Sequence, residues 1–356
     1  MNYFKLDLDY IQKETAECDF RNGNILITGC AGFLGYYLFN YFASFKDQLG
    51  IKSIIGLDSF LLGCPEWLQK IKEKNDSGIE LIKFNIGKDR INDLTQAKDI
   101  THVIHMASIA SPTFYRKYPL ETVDANIWGL RDLLDYYCKS KKLRGFLFFS
   151  SSEIYGDPDP INIPTKEDYK GYVSCTGPRA CYDEAKRFGE TLCSIFREKY
   201  NQPITIVRPF NNYGPGMKVN DKRLPADIAK FVIENRPILL YSDGKPTRTF
   251  CYIADAVCGY LKALNSGNKT EYNIGIDLEE TSVYEFARYN LQIGRELFNY
   301  SGNIQFAKSF DNKYLADNPQ RRCPNIEKAR NELNYNPKIS LRDGITRYLS
   351  YLFDQK

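Results

Sequence analysis

The 356-residue sequence predicts an α/β fold, with a doubly wound parallel sheet followed by a smaller mixed α/β lobe. Three observations carry that expectation. Short apolar runs alternate with helical stretches from residue 24 to residue 210, the rhythm of strands whose crossover helices return to one sheet. A glycine-rich turn closes the first apolar run and opens the first helical stretch. From Asn211 onward the segments shorten and gain Gly and Pro punctuation at YGPGM, SDGKP and NSGNK, as loops feeding a second lobe would.

Residues 1–23 read as an N-terminal extension containing one amphipathic helix. The expected strands are NILIT (24–28), SIIGLD (53–58), ELIKFNI (80–86), HVIHMA (102–107), GFLFFSSS (145–152) and PITIVRPF (203–210). Each is brief and rich in β-branched or aromatic residues. Phe33 to Phe45, Leu120 to Lys139 and Arg179 to Tyr200 are long enough, and apolar at helical spacing, to be helices. Residues 24–210 therefore form one lobe and 211–356 a second, with some later segments returning to the first sheet.

Composition narrows the function. Forty-eight basic and 44 acidic residues are interspersed, and a net charge of +4 is too small to mark a nucleic-acid binder. The ten cysteines are scattered without a Cys-x-x-Cys pair, which favours reduced thiols. The opening MNYFKLDLDYIQKETAECDF has acids throughout and no apolar core, unlike a secretory or transit segment. No run approaches the length of a membrane span, so a soluble cytoplasmic protein is expected. The two histidines, His102 and His105, lie three apart on one strand and point to opposite faces, so no metal site is expected.

Gly29, Gly32 and Gly35 in ITGCAGFLG form G-x-x-G-x-x-G between strand and helix. Glycine permits the tight turn and lets backbone amides and the helix N-terminus, with Phe33 and Leu34 in its first turn, meet a pyrophosphate. Asp58 ends the second strand, about twenty residues further on, where a carboxylate accepts hydrogen bonds from a ribose. The DSFLLG that follows has no basic residue to welcome a 2′-phosphate, so a Rossmann-type lobe binding NAD is expected. Asn85, Ile86 and Ala107 are further candidates for the cofactor pocket.

Catalytic chemistry is suggested by SSSEIYG at the end of the fifth strand and by Tyr182 and Lys186 four residues apart on the following helix. A tyrosine with pKa near ~10 is a poor base at neutral pH, and a neighbouring ammonium stabilises the phenolate. Ser151 would hold a substrate hydroxyl while Tyr182 removes its proton. Either feature alone arises by chance. Together they predict an oxidoreductase core.

At this point the sequence resembles the extended short-chain dehydrogenases acting on nucleotide sugars, and within them the UDP-glucuronate decarboxylases (UDP-xylose synthases). The likeness covers nearly all of residues 24–350 and rests on SSSEIYGDP, GPRACYDEAKR, RPFNNYGPGM, the ND-x-R ending at Arg223, TRTFCYIAD, NPQRRCPNIEKAR and ASPTFY. It implies C4 oxidation, loss of CO2 from the resulting β-keto acid, and re-reduction or release of the 4-keto sugar. It further implies that Glu153 handles a proton at C5 or positions the sugar. Tyr115 and Ser152 would face the sugar carboxylate, while Arg223, Arg248 and Asn211 would contact the diphosphate or sugar. A homodimer through the helices at 120–139 and 179–200 is also implied. Its apolar stripes would come from Leu130, Leu133, Leu134 and Tyr137 and from Phe188, Leu192 and Phe196, unless these simply face their own sheet.

The chain departs from the decarboxylase pattern at Ser151 for threonine, GYVSCTG before PRACYDE, SFLLGCPEW for a basic cofactor loop, Asn85 for an acid and Gly216 for arginine. Two other enzyme readings stay open, a nucleotide-sugar 4,6-dehydratase and an epimerase. Ser152 stands where the dTDP-glucose dehydratases carry aspartate, and simple C4 epimerases usually lack the Glu at 153. A catalytically silent NAD-sensing protein is the reading from another class.

Overall fold

The computed structural model describes residues 2–74, 76–309 and 319–356, so Asn318 of NPQRR lies outside the described residues. Strands β1 (Asn24–Thr28), β2 (Ser53–Asp58), β3 (Ile79–Lys83), β4 (His102–His105), β5 (Gly145–Phe149) and β6 (Ile204–Pro209) form one parallel sheet. The strand Glu271–Ile274 returns from the second lobe and pairs parallel with β6. The spatial order, starting from that strand, is β6, β5, β4, β1, β2, β3. Strand order therefore reverses between β1 and β4, and a crevice opens beyond their carboxyl ends, the usual ligand position in such sheets.

Central strands are apolar throughout because helices cover both faces; every residue of β4 and β5 is buried. Edge strand β3 is half-exposed and stops at Lys83, short of the expected Ile86. There Asp89 Oδ2 accepts from the Asn85 amide at 2.7 Å and Asn85 Oδ1 accepts from the Gly87 amide at 3.1 Å, turning the chain away from the ladder. His102 and His105 find hydroxyl neighbours at Thr101 and Thr28, and burial draws both pKa values down to about 3.

Helix α1 (Tyr3–Glu14) is docked on the body, and helix α2 (Phe33–Phe45) follows the glycine turn as expected. The stretch expected as one helix from 120 to 139 has a wider π-turn at Asp124–Gly129 between helical segments Pro119–Val123 and Leu130–Tyr137. Asn126, fully buried, donates from Nδ2 to Thr122 O at 2.7 Å within that turn. Leu130, Leu133, Leu134, Tyr137, Leu192 and Phe196 pack inward in one core cluster, so these apolar stripes serve the chain's own sheet. The large apolar side chains left exposed on the two stretches are Leu120, Trp128, Phe188 and Ile195.

In the second lobe, Thr247–Arg248 lies between the strands Thr281–Ser282 and Arg321–Arg322, and the register sets Arg322 beside Arg248. Among the described residues, no helix is long and apolar enough to cross a membrane.

Candidate active site

A cleft of about 980 Å³ lies at the carboxyl end of the sheet, and every site residue expected from the sequence lines it. At one end is the glycine turn. Gly29 has φ of +73°, and a Cβ there would lie 2.8 Å from Ala107 Cα, so the turn packs directly against the end of β4. At Gly35 a Cβ would sit 2.2 Å from Cys30 O, which only glycine avoids. Asp58 is fixed by the Ala31 amide at 3.0 Å and the Phe60 amide at 2.8 Å, its carboxylate held over the turn. Asn85 and Ile86 line the same end.

Ser151, Tyr182 and Lys186 meet at the centre. Helical spacing carries Tyr182 and Lys186 to one face, with Lys186 Nζ 5.8 Å from the Tyr182 ring centroid. Lys186 Nζ also donates to Phe149 O at 2.6 Å. Burial lowers the Lys186 pKa to about 7, since a charged amine loses hydration there. Burial raises Tyr182 to about 12, opposed by hydrogen bonding to the Ser151 hydroxyl. The Ser151 hydroxyl oxygen accepts from the Glu153 amide at 3.2 Å, which orients it.

The far end is charged. Arg322 donates to both oxygens of Glu153, at 2.5 and 2.7 Å, in a bidentate fork, and Arg179 donates to the same carboxylate. Burial alone would raise the Glu153 pKa, but Arg179 and Arg322 outweigh it and hold the carboxyl low and ionised. Of the two roles implied for Glu153, this geometry suits positioning better than proton donation. Tyr115 stacks on Tyr182 with centroids 5.2 Å apart and planes 11° from parallel, its hydroxyl buried without a hydrogen-bond partner among the described residues. Ser152 is buried within the turn that carries Glu153. Asn211 donates to Thr249 O at 3.1 Å, and Arg223 pairs with Asp221 while stacking over the Phe33 ring at 5.5 Å. Arg248 donates to the Pro319 carbonyl at 2.6 Å.

Sequence reasoning did not single out Arg179, Arg322 or Asn126. Both arginines lay inside quoted motifs, PRACYDE and NPQRR, and a nearby acid in SSSEIYG was the available signal. Asn126 Nδ2 reaches Ser108 Oγ at 3.0 Å, joining the π-turn to the cleft wall.

Residues 25–275 match the NAD dependent epimerase/dehydratase family. The chain belongs to that family. It is 33% identical over 327 residues to "UDP-glucuronic acid decarboxylase 1" of Arabidopsis thaliana, covering 92% of this chain and 69% of that protein. The crystal structure of UDP-glucuronic acid 4-epimerase from Bacillus cereus, in complex with UDP-glucuronic acid and NAD, superposes with a TM-score of 0.76 at 26% identity. That match covers 94% of this chain and 100% of the epimerase. UDP-glucose 4-epimerase of Thermotoga maritima, 22% identical, shares the fold with a TM-score of 0.79 over 93% of this chain and 99% of its own. It is an NAD-dependent enzyme of that family, and the relative and neighbours named above are a decarboxylase and epimerases of nucleotide sugars. The glycine turn and the clamped Asp58 fit that cofactor: backbone approach is open at the turn, and a carboxylate stands ready for a ribose.

Proposed function

We propose that this enzyme is a UDP-glucuronate decarboxylase, yielding UDP-xylose or releasing the 4-keto pentose sugar. The reading is carried by the likeness to UDP-glucuronic acid decarboxylases over 92% of the chain. It is supported by an arginine-rich sugar end beside the Ser151, Tyr182 and Lys186 centre. Residues 24–210 would hold NAD, and 211–356 would supply most contacts to the nucleotide sugar.

NAD, when bound, supplies a reversible acceptor for the hydrogen on C4. Tyr182 takes the proton of the C4 hydroxyl, which Ser151 orients by hydrogen bonding. Lys186 lowers the cost of the phenolate by placing an ammonium near it. The C4 ketone is then β to the C6 carboxylate. The C5–C6 bond breaks, CO2 leaves, and the electron pair is held as the enolate. C5 takes up a proton, and return of hydrogen to C4 restores the alcohol as Tyr182 gives its proton back. Glu153, kept anionic by Arg179 and Arg322, positions the ring from the far end. Gly29, Gly32, Phe33, Leu34, Gly35, Asp58, Asn85, Ile86 and Ala107 are assigned to the cofactor. Tyr115, Ser152, Asn211, Arg223 and Arg248 are assigned to the substrate.

A cytoplasmic homodimer completes the proposal. All ten cysteines are free thiols, which suits a reducing compartment.

The test is incubation with UDP-glucuronate and NAD, followed by mass spectrometry of the nucleotide sugar. Loss of the mass of CO2 is expected. A second reading, C4 epimerisation of the same acid sugar, draws on the Bacillus cereus neighbour. It would give a product of unchanged mass and altered retention. Loss of water from a hexose nucleotide instead would indicate a dehydratase.

A further inference from the structure

Two carboxylates share the arginines at the sugar end, and they are unequally served. Glu153 receives the bidentate fork of Arg322 and a second contact from Arg179. Asp183 has one long contact, Oδ2 to Arg179 Nε at 3.4 Å, and its Oδ1 is buried without a hydrogen-bond partner among the described residues. Its side chain is only 9% exposed. A buried carboxylate with one bare oxygen is costly as an anion and much less so as a neutral acid.

We propose that Asp183 is a positioning and specificity-determining residue. Behind Arg179 it is poised between acid and anion and takes up a proton as an acidic sugar binds, leaving the arginines their surplus positive charge for a sugar that carries a carboxylate. The proposal rests on the decarboxylase reading for the place of the sugar. Asp183 lies behind the cleft wall and acts through Arg179, whose guanidinium spans the two carboxylates. With Asp183 neutral, Arg179, Arg322 and Arg248 all act on Glu153, an excess of positive charge around one anion. With Asp183 ionised that excess is smaller, and an acidic ligand gains less from it.

The groups around Asp183 agree with this state. From its own helix come Arg179, Tyr182 and Cys181; Glu153 comes from the turn after β5, Arg322 from the strand Arg321–Arg322, and Tyr115 from the helix Pro112–Lys117. Burial and the Glu153 charge raise the Asp183 carboxyl to about 7, and Arg179 and Arg322 only partly oppose them. A substrate carboxylate arriving nearby adds a further negative charge and favours the proton on Asp183. Binding an acidic sugar therefore takes up protons, whereas a neutral sugar on the same nucleotide does not.

Calorimetric titration of the NAD-loaded Tyr182→Phe protein, which binds without turnover, near pH 7.5 and in buffers of different ionisation enthalpy, reads this directly. UDP-glucuronate should bind with uptake of a fraction of one proton and UDP-glucose with none. Above neutrality the affinity for UDP-glucuronate should fall by up to ~10-fold per pH unit, the limit for one linked proton. Asp183→Asn, a permanently neutral mimic, should bind UDP-glucuronate without uptake and hold its affinity at pH 8.5. The comparison of the two sugars needs no change at Asp183. Binding of UDP-glucuronate without proton uptake overturns the inference, as does uptake that persists in Asp183→Asn, which would assign it to Lys186. Failure of UDP-glucuronate to bind at all sinks the decarboxylase reading itself.

Discussion

At the residue scale, Tyr182 and Lys186 show how burial sets up chemistry that neither side chain performs in water. Burial disfavours the phenolate and the ammonium separately, moving Tyr182 to about 12 and Lys186 to about 7. The two charged forms favour each other when they occur together, so the pair is a site for moving a proton rather than for storing charge. Tyr182→Phe removes the proton acceptor and one oxygen. Turnover should fall by roughly 10²–10⁴-fold, while NAD content and nucleotide-sugar affinity stay near wild type. Steady-state kinetics with equilibrium binding measures both, and a variant with full turnover would remove Tyr182 from the chemistry. A protein that never turned over any nucleotide sugar, yet bound NAD normally in both forms, would instead be a binding module. These residues were legible in the sequence because helical spacing alone places them on one face. The arginine clamp on Glu153 was not. Arg322 is far from Glu153 in sequence, and their meeting depends on the short strand that sets Arg322 beside Arg248.

At the element scale, strands with unbroken apolar runs were legible because both their faces are buried. The edge strand β3 ran shorter than expected, since a polar turn at Asn85 competes with its ladder. The π-turn at Asp124–Gly129 has no local signature in hydrophobic spacing. It is fixed by contact, because a Cβ on Gly129 would lie 2.6 Å from Ile86 O. Helix α1 goes furthest beyond its pattern. Its apolar residues Leu8 and Ile11 are buried, and so is Asp7, which is fully enclosed. Tyr37 and Tyr252 donate to Asp7 Oδ2 at 2.7 and 2.6 Å, and Arg347 donates to Oδ1 at 2.5 Å. One carboxylate thus ties the extension to α2, to the strand Cys251–Tyr252 and to the helix Leu341–Asp354. Asp7→Ala would leave two buried hydroxyls and a guanidinium without that acceptor. It should destabilise the fold by roughly 2–4 kcal/mol, read as a lower urea midpoint at unchanged slope. A midpoint within error of wild type would show that water can replace Asp7 and that α1 is not an anchor.

At the scale of the whole molecule, the question is what covers the outer face of the helices that carry the candidate catalytic centre. The helix Ala180–Tyr200 bears Tyr182 and Lys186 on its inner side and packs beside Pro119–Val123. Facing out from this pair, Leu120 is 73% exposed, Trp128 63%, Phe188 48% and Ile195 49%. Phe188 and Ile195 are seven apart and share one helical face. Scattered apolar residues need no explanation, but four large apolar side chains exposed on adjoining helical segments favour an interface. A second copy of the chain, presenting the same patch about a two-fold axis, would bury all four residues and form a four-helix bundle. Light scattering should find a dimer at micromolar concentration. Trp128→Glu should shift it to monomer, because a carboxylate at the centre of an apolar contact would be desolvated without a partner. The monomer should also melt at a lower temperature, since the catalytic helix would lose the neighbour that braces its outer face. A wild-type chain that stays monomeric at tens of micromolar would sink this arrangement, and a dimer unaffected by Trp128→Glu would move the interface to another face.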